Sequence, residues 1–248
     1  MNSKIGRKII NFLGLKIKLK SKKCKPIDQR GNIPYEFCRF ENFGDNNKII
    51  VVENGIETKI TTKNYLKYFN SLELSIRGNN NTIKIHLPAK WKETKIIANG
   101  DGNYLEFKPT KYKYDKAVIR ALNGSKIVID EDFSCASNLD ICIGGKDTKL
   151  EIGKDCMFSD GIKLFNNDGH QILDMNDNLL NPPPNILIGN HVWCGAKVTI
   201  INQTHIKDNT IIGACSVVTR KFDKENIILA GVPAKLIKEN VKWIRDAV

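Results

Sequence analysis

The chain has 248 residues, 41% hydrophobic and 27% charged, with a formal net charge of +12, which suits one or two globular units and excludes wholesale disorder. No apolar run approaches the roughly 20 residues that a membrane-spanning helix needs, so the chain reads as soluble and cytoplasmic. Its lysine-rich field attracts anions such as CoA phosphates, an acidic glycan or a phospholipid surface, while zinc spacing, stacking aromatics and a basic recognition helix are all missing, which argues against nucleic acid.

Residues 1–25 carry Lys4, Arg7, Lys8, Lys16, Lys18, Lys20, Lys22, Lys23 and Lys25 and no acid, with Ile9, Ile10, Phe12, Leu13, Leu15 and Ile17 between them. This basic amphipathic segment has two readings: peripheral contact with the inner-membrane face, or a solvated or subunit-packing tail. Lysines interrupt its apolar part and no small-residue cleavage site follows, which argues against a secretory signal.

Residues 26–118 show a looser pattern of polar corners followed by alternating apolar strands. Gly44-Asp45-Asn46-Asn47, Gly78-Asn79-Asn80-Asn81 and Gly100-Asp101-Gly102-Asn103 each precede such a strand, and Gly78, Gly100 and Gly124 stand 22 and 24 residues apart. Gly and Asn tolerate the left-handed backbone that tight corners need. The spacing predicts irregular coils of three short strands, with a short helix around residues 62–69.

Over residues 119–222 the period tightens to six. The pairs Ile127/Ile129, Phe133/Cys135, Leu139/Ile141, Leu150/Ile152, Cys156/Phe158 and Ile162/Leu164 predict inward side chains, with one insertion at residues 144–148. The next pair would be Asp168 and His170, which do not belong in a dry core, and a place where a sequence breaks its own rule is where function is expected. A polar excursion at residues 171–185 follows, ending in Pro182-Pro183-Pro184, and the repeat resumes at Ile186.

From there Ile188, Cys194, Ile200, Ile206, Ile212 and Val218 form one row, and Ile186, Val192, Val198, Thr204, Thr210 and Ser216 a second. Neither a helix of period 3.6 nor an isolated strand of period two holds this register. Three six-residue faces close a triangular coil, and coils stack at about 4.8 Å, which specifies a parallel β-helix. The repeat is expected to end after Arg220, leaving residues 223–248 as a cap, helical or extended, over the open end. Seven cysteines without CxxC or metal spacing, several of them in the inward rows, read as buried fillers in a reducing compartment. No metal site is expected.

The segments Ile188-Gly189-Asn190-His191-Val192-Trp193-Cys194-Gly195-Ala196, Gly213-Ala214-Cys215-Ser216-Val217-Val218-Thr219 and Ala230-Gly231-Val232-Pro233-Ala234-Lys235 together resemble the hexapeptide-repeat acyltransferases. The resemblance covers residues 127–238 and implies a left-handed helix, a homotrimer and acetyl-CoA as donor. The Asp168-Gly169-His170 segment resembles that of bacterial polysaccharide O-acetyltransferases, which implies His170 as general base, oriented by Asp168 or Asp174, and Trp193 at the thiol and acceptor. It also implies CoA along a groove between subunits, touching Gly195, Ala196 and Ala214, with Thr219, Arg220 and Lys235 near pantetheine and phosphates. His191 reads as structural or acceptor-lining, and His86 and His205 as surface residues.

The chain departs from the family at Cys194, where an aliphatic residue is usual, and in lacking the Asn-His-Pro form of the small-sugar enzymes. The expected activity is therefore O-acetylation of a bacterial surface glycan. The alternatives are N-acetylation of an amino-sugar nucleotide, a hydratase whose metal would need three histidines, from His170, His191 and His205, meeting across a subunit boundary, and a non-catalytic binding module.

Overall fold

The computed structural model describes residues 39–246; the basic segment 1–25 lies outside them. Three sheets of eight, nine and eight strands are parallel except for one antiparallel edge strand in each of the second and third, Ile56–Lys59 and Ala234–Glu239, and the parallel strands pass in turn from the first to the second to the third face. The architecture is the expected left-handed parallel β-helix.

Register confirms the six-residue reading. Leu164 pairs with Ile141 and Ile200 on the first face, Ile188 with Ile152 and Ile206 on the second, and Cys194 with Phe158 and Ile212 on the third. Every residue assigned to the two inward rows is buried. Toward the N-terminus the core is filled by aromatics: Trp91 stacks on Tyr114 at 4.5 Å, Tyr114 lies 5.3 Å from Phe133, and Phe133 meets Phe158 edge-on at 5.0 Å.

The corners take the predicted left-handed backbone, with positive φ at Asn46, Asn80, Asn123, Asp132, Asp155, His191 and Asn209, among others. Along the first–second edge a buried polar ladder joins the coils. Asn81 donates its backbone N–H and its amide to Asn47 Oδ1, Asn103 does the same to Asn81 Oδ1 at 2.9 Å each, and the Ser125 N–H continues to Asn103 Oδ1. The ladder gives these buried amides and backbone groups the partners that burial demands. The expected short helix is present at Tyr65–Tyr68.

Two readings need correction. Asp168 and His170 do not take inward positions: the excursion starts at Asn167, because the buried Asn166 amide donates to the carbonyls of Gly144 and Pro184 and ties the loop's two ends together. Ile186 and Ile188 fill the core there instead. Second, stacking does not stop at Arg220, since Lys221–Phe222 pairs with His205–Ile206 and Ile227–Gly231 with Ile211–Ile212. Of the two forms expected for the C-terminal cap the extended one is present: Ala234–Glu239 folds back as an antiparallel strand on Ile227–Gly231.

Among the described residues no helix is long and apolar enough to cross a membrane. Cys135, Cys142, Cys156, Cys194 and Cys215 are all free thiols. Burial pushes the Cys135 and Cys156 thiols up to about 12, which suits inert filling rather than redox chemistry.

Candidate active site

The candidate residues fall on two sides of the prism. His170, Thr219 and Arg220 lie on the first–second edge, the first in the loop between Lys163–Phe165 and Ile186–Ile188, the others between Val217–Val218 and Lys221–Phe222. The two corners are two coils apart, about 10 Å at the usual strand spacing. The Arg220 guanidinium packs over the Phe222 ring at 5.1 Å.

Trp193 stands on the outer side of the third face, and Gly195, Ala196 and Ala214 follow at the third–first edge. There successive coils touch through main chain: the Gly195 N–H donates to Ile212 O, the Cys215 N–H to Ala196 O, and a Cβ on Gly195 would sit 2.7 Å from Ala214 N. Glycine at 195 is what this close approach of two coils requires. Lys235 pairs with Ala230 at the end of the same face.

The loop that carries His170 is a short hairpin. Leu180 N–H donates to Ile172 O, Leu173 bridges Leu179, and the Asp174 carboxylate accepts from the N–H groups of Asn176 and Asn178 and the Asn178 amide. Those hydrogen bonds hold Asp174 below the usual carboxylate range, and its carboxylate serves the turn. Asp168 is tied to the His170 backbone: the Asn181 amide donates both to Asp168 Oδ2 and to His170 O, each at 2.9 Å. Asn181 was not legible as a site residue, because its partners lie more than ten positions back in the sequence. His170 is solvent-exposed, as are Ile172, Leu173, Leu179 and Leu180, and Met175 is 99% exposed.

His191 has a different place. It occupies a left-handed corner of the second–third edge, its Nδ1 2.6 Å from Asp155 Oδ2 and its Nε2 3.1 Å from Trp243 O. Its ring stacks on Trp243 at 3.9 Å with 9° between planes. Burial works against the Asp155 charge, but hydrogen bonds and charge from His191 and Arg245 outweigh it and hold the carboxyl below its ordinary range. These contacts fix the His191 ring in place at this edge. His205 lies on the outer side of the second face, and His86 bonds Glu106 at 2.8 Å far down the same face.

No family model matches the chain. Over 177 residues, 71% of this chain and 81% of the relative, it is 31% identical to a polysialic acid O-acetyltransferase of Neisseria meningitidis. It is 35% identical to the galactoside O-acetyltransferase of Escherichia coli K12 over 118 residues, 47% of this chain and 55% of that one. The crystal structure of the polySia-specific acetyltransferase NeuO matches with a TM-score of 0.71 at 26% identity, covering 83% of this chain and 82% of its own.

Proposed function

The chain belongs to the hexapeptide-repeat O-acetyltransferases, and on that premise we propose that it transfers acetyl from acetyl-CoA directly to a hydroxyl of a bacterial surface glycan, with His170 as general base. The hydroxyl oxygen attacks the thioester carbonyl as the imidazole takes its proton; the C–S bond breaks, and the proton passes to the leaving sulfur. An exposed imidazole, whose backbone carbonyl shares the Asn181 amide with the Asp168 carboxylate, suits this exchange. Trp193 offers its indole N–H near the sulfur. The small residues Gly195, Ala196 and Ala214 receive pantetheine, and Thr219, Arg220 and Lys235 meet the phosphates.

One observation carries the reading: the candidate base and the candidate thioester strip lie on different edges of one prism. A homotrimer that sets the His170 loop of one subunit against the third face of the next would bring them to one thioester. The apolar side chains exposed on that loop fit burial against a neighbouring copy.

The test is CoA release from acetyl-CoA with a panel of sialylated and neutral glycans, on the wild type and His170→Ala. Release that depends on one glycan and drops about 10²-fold or more in the variant is expected for loss of a general base. Full activity in the variant would remove His170 from the mechanism.

A further inference from the structure

After Ala234–Glu239 the chain turns and runs back along the second–third edge over residues 240–246. The Val241 N–H donates to Asn226 O, Trp243 covers the His191 corner, and Arg245 reaches the Asp155 and Asp132 corners. The segment has no regular secondary structure but is firmly held. The Trp243 indole N–H donates to His191 O at 2.9 Å. The Arg245 guanidinium donates to Asp155 Oδ1, Ser134 Oγ, Asp132 O and Cys156 O and packs over the Tyr112 ring at 4.4 Å. Trp243 is 7% exposed and the Arg245 side chain 17%.

What this strap touches gives it a role beyond capping. Trp193 is 37% exposed on an outer face, where its strand neighbours are the flexible or aliphatic Met157 and Ile211. The aromatic ring beside it is Trp243, at 5.9 Å and 44°. Trp243 is held in turn by the His191 ring, which Asp155 orients through Nδ1, and Asp155 shares its other oxygen with Arg245. A chain of contacts therefore leads from Arg245 through Asp155, His191 and Trp243 to the face of the indole assigned to the thioester.

The geometry assigns Trp243 as a positioning residue for acetyl transfer: the clamped C-terminal strap fixes the orientation of Trp193. The inference rests on the reading of Trp193 as a group at the thioester. A strap that only seals the end of the solenoid would affect stability but would have no particular coupling to Trp193.

The test is a double-mutant cycle in the full-length protein, with kcat and KM for acetyl-CoA measured well below the melting midpoint. Trp193→Ala, Trp243→Ala and the double variant are compared, and Trp243→Phe keeps a ring against His191 where the alanine variant fails to fold. Trp243→Ala is expected to lower kcat/KM about tenfold, as modest misplacement of a reacting group does. Trp243→Phe should recover most of that loss, and the double variant should be no slower than Trp193→Ala alone, since coupled residues do not add. Losses that multiply in the double variant, or full activity in Trp243→Ala while Trp193→Ala is impaired, overturn the positioning role. Full activity in Trp193→Ala instead removes Trp193 from the thioester, and the inference fails with that reading.

Discussion

At the scale of single residues, the outer surface of the second face holds a carboxylate that three neighbours compete to satisfy. His86 Nε2 and Lys108 Nζ lie 2.8 Å from Glu106 Oε1, and the Tyr104 hydroxyl donates to Oε2. Partial burial works to raise Glu106, but the hydrogen bonds from Lys108, Tyr104 and His86 outweigh it and bring the carboxyl down to about 2. Burial and the same carboxylate push Tyr104 up to about 12. A carboxyl that titrates lower in the folded chain stabilises the fold above its ordinary value, near 4.5, and that contribution is lost as the pH falls toward 2. Because solvent screens a partly exposed group, the contribution is ~1 kcal/mol. Glu106→Gln should therefore melt about 2–4 °C lower than the wild type at pH 7, with the two curves converging near pH 2; a gap independent of pH would mean that packing, not charge, is at stake. The sequence announced the inward rows because each position obeys one rule, burial, that residue type alone reveals. It could not announce this cluster, since Glu106 and His86 meet only through the register that pairs Thr82–His86 with Tyr104–Phe107.

At the scale of elements, the His170 loop and the C-terminal strap were the hardest parts to read. The six-residue count runs on past Phe165 and puts the loop's start at residue 171, whereas Asn166 ends the coil through hydrogen bonds to Gly144 and Pro184, both distant in sequence. The strap left no local signal, because Trp243 and Arg245 find partners 52 and 90 residues away. His170 itself was visible because it broke the repeat, although it sits outside the core rather than inside it. The loop's composition supports a prediction at this scale. Ile172, Leu173, Met175, Leu179 and Leu180 stay exposed on a hairpin whose turn is already closed by Asp174, so their apolar surface is free for a neighbouring subunit. Replacing Met175 and Leu180 together by aspartate should leave the fold intact, since neither contributes to the core, yet shift the species in sedimentation from three times 28.0 kDa toward the monomer. Acetyl transfer should fall at least tenfold, because a desolvated charge at an interface is costly. A doubly substituted protein that still sediments as a trimer would place the contact elsewhere.

At the scale of the whole molecule, the charge that suggested an acidic acceptor is unevenly distributed. Of the 39 Lys and Arg residues ten fall in residues 1–38, against two of the 27 Asp and Glu, so the described body carries only +4 of the +12. On that body many cations are paired, among them Lys84 with Glu57, Lys126 with Glu151 and Arg120 with Asp140. The loop around His170 adds acids rather than bases, with Asp168, Asp174 and Asp177. A polyanionic acceptor would thus be drawn mainly by the field of residues 1–38, while its reacting hydroxyl meets an edge with little positive charge of its own. Diffusional attraction of this kind acts over a Debye length and fades with salt. Reversing Lys16, Lys18, Lys20 and Lys22 to glutamate takes the formal charge from +12 to +4 without touching a described residue. The expected result is a KM for a polysialylated acceptor raised roughly tenfold at low ionic strength, with the difference shrinking toward 1 M salt as screening takes over. KM for a neutral acceptor should stay unchanged, since it feels no such field. Equal sensitivity of both acceptors would show that residues 1–38 act on the enzyme rather than on the glycan, and an unaltered KM for both would detach the acidic-acceptor expectation from the chain's charge.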